Sequence, residues 1–134
     1  MKVLVDTSVW SLALRRKQSL APEAGELGRL IQDGMVSIIG PIRQEILSGI
    51  SNLKQFEALK LELSFFEDIP MNRAHFETGA SYYNSCRSHG IQGSHIDFLI
   101  CAVASLEKLA IFSSDNDFGR YSKHLPIALH RIDK

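Results

Sequence analysis

Short apolar runs alternate along the chain with longer stretches in which apolar residues recur at helical spacing. The first run, Val3–Val5, is followed at once by Asp6, and a second run over residues 110–113 is followed in the same way by Asp115. A short apolar run bounded by polar residues is typical of a strand buried on both faces. We therefore predict a strand at each of these places, with a carboxylate just beyond its end.

The longer stretches predict helices with recognisable ends. Ser8 is expected to cap the first helix, Pro22 to lie in the first turn of the second, and Gly34 to close it. Predicted helices cover residues 9–14, 22–34, 42–47, 52–66, 72–89 and 94–108, with a brief one beginning at Asp115, and further strands are predicted over residues 35–39, near Ile69 and over residues 127–130.

This alternation of helices with short strands predicts an α/β fold with a small parallel sheet. No internal repeat or low-complexity linker interrupts the pattern. A chain of 134 residues can bury roughly two thirds of the surface that its unfolded form exposes. We therefore expect one domain over residues 1–134.

Composition narrows the possible functions. The 15 basic and 15 acidic side chains cancel, whereas a dedicated nucleic-acid binder usually has a basic excess. A nucleic-acid partner would therefore have to be held by a local basic patch, by metal cations or by an oligomer. Two cysteines and five scattered histidines do not suit a disulfide framework or a zinc site. No apolar stretch approaches roughly 18 residues, so we expect a cytoplasmic protein without a membrane partner.

Acidic residues stand at the places where a parallel sheet would bring them together. Asp6 and Asp115 end predicted strands, and ligands of such sheets bind just beyond the carboxyl ends of the strands. Glu45 lies in a helix, Asp97 in the first turn of another, and Asp117 two positions after Asp115. Two carboxylates about 4 Å apart repel by roughly 4 kcal/mol at an effective dielectric constant of 20. Such a cluster favours a bound divalent cation, with magnesium as the first candidate.

Each acid also has a simpler explanation. Asp6 could begin a loop or act as a phosphatase-like nucleophile, and Asp115 could be a helix N-cap. Glu45 could be a solvated helix residue, and Asp97 could complement a helix dipole. The phosphatase hypothesis is disfavoured because Ser8 replaces the second aspartate expected two residues after Asp6.

Four segments together resemble the successive motifs of PIN-domain ribonucleases, and within that group of VapC-type toxins. The resemblance covers nearly the whole chain in order and spacing. Its segments are Asp6-Thr7-Ser8-Val9-Trp10, Glu45-Ile46-Leu47-Ser48-Gly49, Asp97-Phe98-Leu99-Ile100-Cys101-Ala102 and Ser113-Ser114-Asp115-Asn116-Asp117-Phe118.

The resemblance implies a three-layer α/β/α fold and a site for Mg²⁺, with Mn²⁺ as substitute, that cleaves single-stranded RNA. Its implied catalytic residues are Asp6, Glu45, Asp97 and Asp115. The implied metal ligands are Asp6, Asp97, Asp115 and the more variable Asp117, with Thr7 and Ser113 as supporting residues. A homodimer and a cognate antitoxin are the implied protein partners. Apolar side chains that could line an antitoxin groove, or simply form core, are Trp10, Leu14, Phe56 and Phe65.

Arg43 and Arg15 are candidate contacts to RNA phosphate because they lie near the acids or in a basic cluster. Cleavage by a metal-activated hydroxide needs no 2′-hydroxyl and leaves a 5′-phosphate. Two alternatives remain open: an RNA-processing nuclease outside any toxin–antitoxin pair, and a non-catalytic PIN module that binds RNA or protein.

Overall fold

A computed structural model describes residues 1–15 and 20–133, and four parallel strands lie in these ranges. Their order in the sheet is β2-β1-β3-β4, with β1 at Val3–Val5, β2 at Val36–Ser37, β3 at Ala110–Phe112 and β4 at Ala128–Leu129. In the centre of the sheet Leu4 pairs with Ile111, and Val5 pairs with Phe112. Asp6 and Ser113 therefore leave neighbouring strands at the same edge of the sheet.

Helices surround this sheet in a three-layer α/β/α arrangement, which confirms the predicted fold class. Seven helices lie in the described ranges: α1 at Thr7–Arg15, α2 at Pro22–Gln32, α3 at Gly40–Ser48, α4 at Leu53–Leu63, α5 at Arg73–Ser88, α6 at His95–Glu107 and α7 at Asp117–Tyr121. None of the described helices is long and apolar enough to cross a membrane.

The hydrophobic core is built on the sheet and helix α6, and buried residues of α1, α2 and α3 also belong to it. All residues of β1 and β3 are buried, as is the continuous run of α6 from Phe98 to Ala104. A helix that is apolar on every side has to be enclosed by its neighbours, and α6 packs against both β3 and α5. The first turn of α6, which carries Asp97, is thereby held at a fixed place beside the sheet.

Helix caps place the acids at element ends. Ser94 caps α6 by accepting a hydrogen bond from the backbone N–H of Asp97. Helix α1 begins two residues earlier than the sequence pattern indicates, because the carbonyl of Asp6 accepts hydrogen bonds from Val9 and Trp10. The predicted N-cap role of Ser8 is therefore wrong, since Ser8 lies inside the first turn of α1.

The strand predicted near Ile69 is reduced to a single parallel bridge. Ile38 pairs with Asp68, and the N–H of Ile69 donates to the carbonyl of Ile38. The short segment between α4 and α5 makes no longer ladder in the described residues. The other predicted strands and helices are confirmed, with ends that differ by a few residues.

A buried glutamate links helix α2 to the C-terminal strand. Both carboxylate oxygens of Glu26 accept hydrogen bonds from Arg29 at 2.8 Å, and Oε2 also contacts Nε2 of His130. Since an ionised carboxylate can only accept, His130 is the donor in this contact. The hydrogen bonds from Arg29 and His130 hold the pKa of Glu26 at about 2, although burial acts in the opposite direction.

We expect Glu26 to stabilise the fold at neutral pH and to lose this effect in acid. The pKa of Glu26 is lowered from 4.5 to about 2, so its contribution is complete above pH 4.5 and disappears as the pH falls toward 2. Glu26→Gln should lower the free energy of unfolding at neutral pH by about 2 kcal/mol, because the amide cannot accept from both Arg29 donors. Urea unfolding of both proteins at neutral pH and at about pH 3 measures this difference.

The control for this prediction is Glu57→Gln, which removes an exposed pair with Lys60. Exposed pairs contribute little, so Glu57→Gln should change stability by less than about 1 kcal/mol at either pH. An undiminished difference between wild type and Glu26→Gln in acid would contradict the prediction.

Candidate active site

Asp6 is buried at the carboxyl end of β1 and is held by two hydroxyl groups. Its Oδ2 atom accepts a hydrogen bond from Ser8 Oγ at 2.8 Å and another from Ser113 Oγ at 2.9 Å. The two hydroxyl oxygens are themselves 3.2 Å apart. Because Ser113 follows β3 and Ser8 lies in α1, this small network fixes the carboxylate of Asp6 between two strand ends.

The segment after β3 continues this network through a chain of backbone hydrogen bonds. The N–H of Ser114 donates to Ser8 Oγ, and the N–H of Asp115 donates to Ser113 Oγ at 2.9 Å. Oδ1 of Asp115 accepts from the N–H of Asp117 at 2.9 Å and so supports the start of α7. Asp115 therefore has a local structural role in addition to its place in the acidic site, and its side chain is exposed.

Asp97 is half-buried in the first turn of α6 and receives a hydrogen bond from a tyrosine. The hydroxyl of Tyr121 donates to Oδ2 of Asp97 at 2.6 Å. Burial raises the pKa of Asp97, and the negative charges of Asp6 and Asp115 act in the same direction. Hydrogen bonds from Tyr121 and Ser94 oppose this rise. Asp6 and Asp115 therefore lie near enough for their charges to act on Asp97.

Glu45 stands apart from the three aspartates in the part of the chain that the structure describes. Its side chain is exposed on α3, and within the described residues no hydrogen bond or ion pair ties it to the three aspartates. Across residues 1–15 and 20–133, no three acidic, histidine or cysteine side chains lie close enough together to hold a metal ion as they stand.

The chemistry of the three aspartates nevertheless fits a hard divalent cation. The donors are all carboxylate oxygens, and Mg²⁺ is usually held by one or two carboxylates while water fills its other positions. Like charges in a half-buried place repel one another, and a cation removes that repulsion. Asp6, Asp97 and Asp115 are the residues that would hold it.

The carboxylate of Asp117 is paired with a cationic side chain. Its Oδ1 atom forms an ion pair with Arg120, one turn further along α7. To act as a metal ligand, as the sequence predicts, Asp117 would have to give up this partner. Its role in metal binding stays a prediction.

Arg43 has a structural role in the fold. Its guanidinium donates to the carbonyls of Leu63 and Phe66 and pairs with Asp68 at 2.9 Å. These contacts fix the end of α4 against α3 and occupy the donors that an RNA phosphate would need. Arg43 therefore has few free donors to offer a phosphate.

The remaining predicted residues have different surroundings. Thr7 begins α1 and is half-buried, but the hydroxyls that contact Asp6 are those of Ser8 and Ser113. Arg15 ends α1, and its side chain lies outside the described residues. Trp10 is only 2% exposed and belongs to the core, so it does not line a groove.

Sequence reasoning missed three residues that shape the site. Ser8 was interpreted as a helix cap, although its position two residues after Asp6 allows its hydroxyl to reach back to that carboxylate. Tyr121 gives no local signal, because its contact with Asp97 depends on tertiary packing. Gly93 shapes the site through its close approach to Tyr121, which is also a tertiary contact.

Comparison with known proteins agrees with the resemblance drawn from the motifs. A model of the PIN domain matches residues 3–124. FitAcB from Neisseria gonorrhoeae shares the fold at 24% identity and a TM-score of 0.78, with 96% of each chain covered. VapBC2 from Rickettsia felis, bound to a promoter DNA fragment, has 17% identity and a TM-score of 0.78 over 99% of this chain and 100% of that one.

A third structure with this fold is VapBC-5 from Mycobacterium tuberculosis, a member of the VapBC family of toxin-antitoxin systems. It has 16% identity and a TM-score of 0.70, covering 98% of this chain and 100% of that one. A sequence comparison with curated proteins finds no significant match. At these identities the solved structures show a common fold, while the PIN model spans most of the sequence. The chain therefore belongs to the PIN-domain family.

Proposed function

We propose that the protein is a metal-dependent endoribonuclease and the toxin of a toxin–antitoxin pair. The observation that supports this proposal is that Asp6 and Asp115 follow the neighbouring strands β1 and β3, and that the negative charges of both act on Asp97. A cation bound between these carboxylates would remove the repulsion that their charges exert on Asp97. The motif order and the toxin–antitoxin proteins that share the fold support the same assignment.

The fixed aspartates account for the chemistry that we assign to the site. A divalent cation held there would supply activation of water and stabilisation of charge on phosphate oxygens. Asp6 is fixed by Ser8 and Ser113, and Asp97 by Tyr121, so both would be oriented before substrate arrives. We assign to Glu45, the exposed acid on α3, the orientation of the attacking water or acceptance of its proton.

The proposed antitoxin contact is an apolar groove between α1, α3 and α4. The groove has a volume of about 760 Å³ and is lined by apolar side chains that include Leu14, Ile46, Ile50 and Leu59. An amphipathic helix of a partner could place its apolar face in such a groove. Of the predicted lining residues, Leu14 does line it, whereas Phe65 is 81% exposed beside another cavity.

RNA binding has to overcome the zero net charge of the chain. We propose that Arg15, at the end of α1, contributes to a local basic patch, and that a homodimer joins two such patches. Water, and not the ribose 2′-hydroxyl, is the proposed nucleophile. The products should therefore carry a 5′-phosphate and a 3′-hydroxyl.

Removal of divalent metal is expected to abolish cleavage of RNA. Purified protein should cleave members of a panel of single-stranded and structured RNAs with Mg²⁺ or Mn²⁺ present. Cleavage should stop when a chelator is added and resume when excess Mg²⁺ is returned. Mass spectrometry of the fragments reports the chemistry of the ends, and a 2′-O-methyl group at the cleaved position should not prevent the reaction.

The product ends provide the control for this experiment. A contaminating metal-independent ribonuclease would leave cyclic phosphates and would be stopped by the 2′-O-methyl group. Cleavage that persists in chelator would refute the metal mechanism. Absence of cleavage from protein free of any bound partner would favour the non-catalytic binding module.

A further inference from the structure

Tyr121 is a fully buried tyrosine whose hydroxyl ends on an acid of the proposed site. It has 0% exposure, and its hydroxyl lies 2.6 Å from Oδ2 of Asp97. The ring is held by Phe98, with centroids 4.8 Å apart, and by Phe118, with centroids 5.4 Å apart. A ring enclosed in this way cannot rotate its hydroxyl away from Asp97 without disturbing the core.

Gly93 completes the enclosure on the side of the hydroxyl. A Cβ atom built on Gly93 would lie 2.2 Å from the hydroxyl oxygen of Tyr121 and 2.8 Å from its Cζ atom. The hydroxyl thus fills the space that any other side chain at position 93 would need. Its position is set by the loop before α6 as well as by α7.

Asp6, just after β1, and Asp97, in the first turn of α6, share a pattern of hydroxyl contacts. Oδ2 of Asp97 accepts from Tyr121, and Oδ2 of Asp6 accepts from both Ser8 and Ser113. In each carboxylate one oxygen is therefore committed to O–H donors. Asp97 also accepts a hydrogen bond from Ser94, and the acceptor positions that these donors leave unused are the ones that a cation could contact.

The hydrogen bonding of the carboxylate oxygens matters because divalent cations differ in how many oxygens of a carboxylate they bind. Ca²⁺ takes six to eight oxygen ligands and accepts a carboxylate through one or both oxygens. Mg²⁺ demands near-octahedral geometry and is satisfied by single oxygens together with water. A donor proton fixed on one oxygen of Asp97 occupies an acceptor position of that oxygen and thereby disfavours the two-oxygen mode that Ca²⁺ can use.

We propose that Tyr121 is a positioning residue that holds Oδ2 of Asp97 and thereby gives the site a preference for Mg²⁺ and Mn²⁺ over Ca²⁺. The inference rests on the proposed function, because it takes the aspartates to hold a cation. It adds to that function a reason for the choice of metal, located in a residue outside the acidic motifs.

The test is the ratio of Mn²⁺ to Ca²⁺ affinity in wild type and Tyr121→Phe, measured by titration calorimetry without RNA. Phenylalanine keeps the ring that packs on Phe98 and removes only the hydroxyl. The ratio should fall about tenfold, as is usual when a partner of a ligating group is lost. A role in packing alone would leave this ratio unchanged.

Tyr82→Phe is the matched control, since its hydroxyl contacts Ser105 Oγ at 2.8 Å, two turns along α6 from Asp97. It should keep the wild-type ratio. Gly93→Ala displaces the Tyr121 hydroxyl without removing it and provides a second variant that should lower the ratio.

The outcomes separate this inference from the proposed function. A wild-type ratio in Tyr121→Phe, with Mn²⁺ bound and RNA cleaved, overturns the role of Tyr121 alone. Absence of Mn²⁺ binding in wild type overturns both the metal mechanism and the selectivity inference. A reduced ratio in Tyr121→Phe with an unchanged Tyr82→Phe supports the inference.

Discussion

Asp97→Asn is expected to abolish RNA cleavage without weakening the fold. The amide has no negative charge to offer a cation, and we expect the rate to fall at least about 100-fold, the lower range for loss of a group that takes part in the chemistry. Burial and the charges of Asp6 and Asp115 disfavour ionised Asp97, so its neutral replacement relieves repulsion in the metal-free protein. Cleavage rates in Mg²⁺ and urea unfolding in chelator measure the two effects.

Asp33→Asn provides the matched control for this substitution. Asp33 closes α2 and pairs with Arg29 at 3.1 Å, with more than half of its side chain exposed. Its loss should cost less than about 1 kcal/mol and leave cleavage intact. If Asp97→Asn cleaved RNA at the wild-type rate, the activity would belong to another site or another protein. If it unfolded more readily than wild type, the repulsion argument would be wrong.

The places of Asp6 and Asp115 could be predicted from the sequence because strand patterns are local. Asp6 and Asp115 follow short apolar runs, and the rule for parallel sheets places the ends of such strands at one edge. The structure confirms that β1 and β3 are neighbours, with Val5 opposite Phe112. Here the periodicity of apolar residues, which reflects burial, was sufficient to place the acids.

The hydroxyl contacts of these acids could not be predicted in the same way. Tyr121 is 24 positions from Asp97, and its contact depends on how α7 packs against the start of α6. Hydroxyl groups bond to whatever acceptor the tertiary structure brings near, and no periodicity records that choice. Ser8 had a local alternative as a helix cap, which was wrong because the carbonyl of Asp6 already accepts the first hydrogen bonds of α1.

Arg43 shows the same limit for charged residues. Its position two residues before Glu45 indicated a surface cation near the acids. The structure provides it instead with two carbonyl groups at the end of α4, from Leu63 and Phe66, in addition to Asp68. Unpaired carbonyls at a helix end need donors, and which donor arrives is decided by the packing of α3 on α4.

Gly93→Ala adds a single methyl group, and we expect it to be the most damaging change of that size near the site. The new Cβ would lie 2.2 Å from the Tyr121 hydroxyl and 2.9 Å from Cε2 of Phe98. Gly93 does not adopt the left-handed backbone region found at Gly34 and Gly90, so the methyl group alone causes the conflict. We expect the free energy of unfolding to fall by about 3 kcal/mol, as in overpacked cores. RNA cleavage should fall about tenfold as Asp97 loses its partner.

Gly28→Ala is the control, because Gly28 is exposed on α2 and a Cβ there meets no atom within 4 Å. A methyl group within a helix should be neutral or stabilise the protein by up to about 1 kcal/mol. If Gly93→Ala were as stable as Gly28→Ala, the space beside Gly93 would be larger than the structure indicates.

The double variant Gly93→Ala with Tyr121→Phe identifies the hydroxyl as the source of the conflict. Phenylalanine removes the oxygen that lies 2.2 Å from the new methyl group, while the ring carbon at 2.8 Å remains. The double variant should therefore be less destabilised than the sum of the single variants, by about 1 kcal/mol. Urea unfolding of wild type, the two single variants and the double variant measures this double-mutant cycle. Strict additivity would mean that the Tyr121 hydroxyl does not fill the space beside Gly93, and would remove the basis for its hold on Asp97.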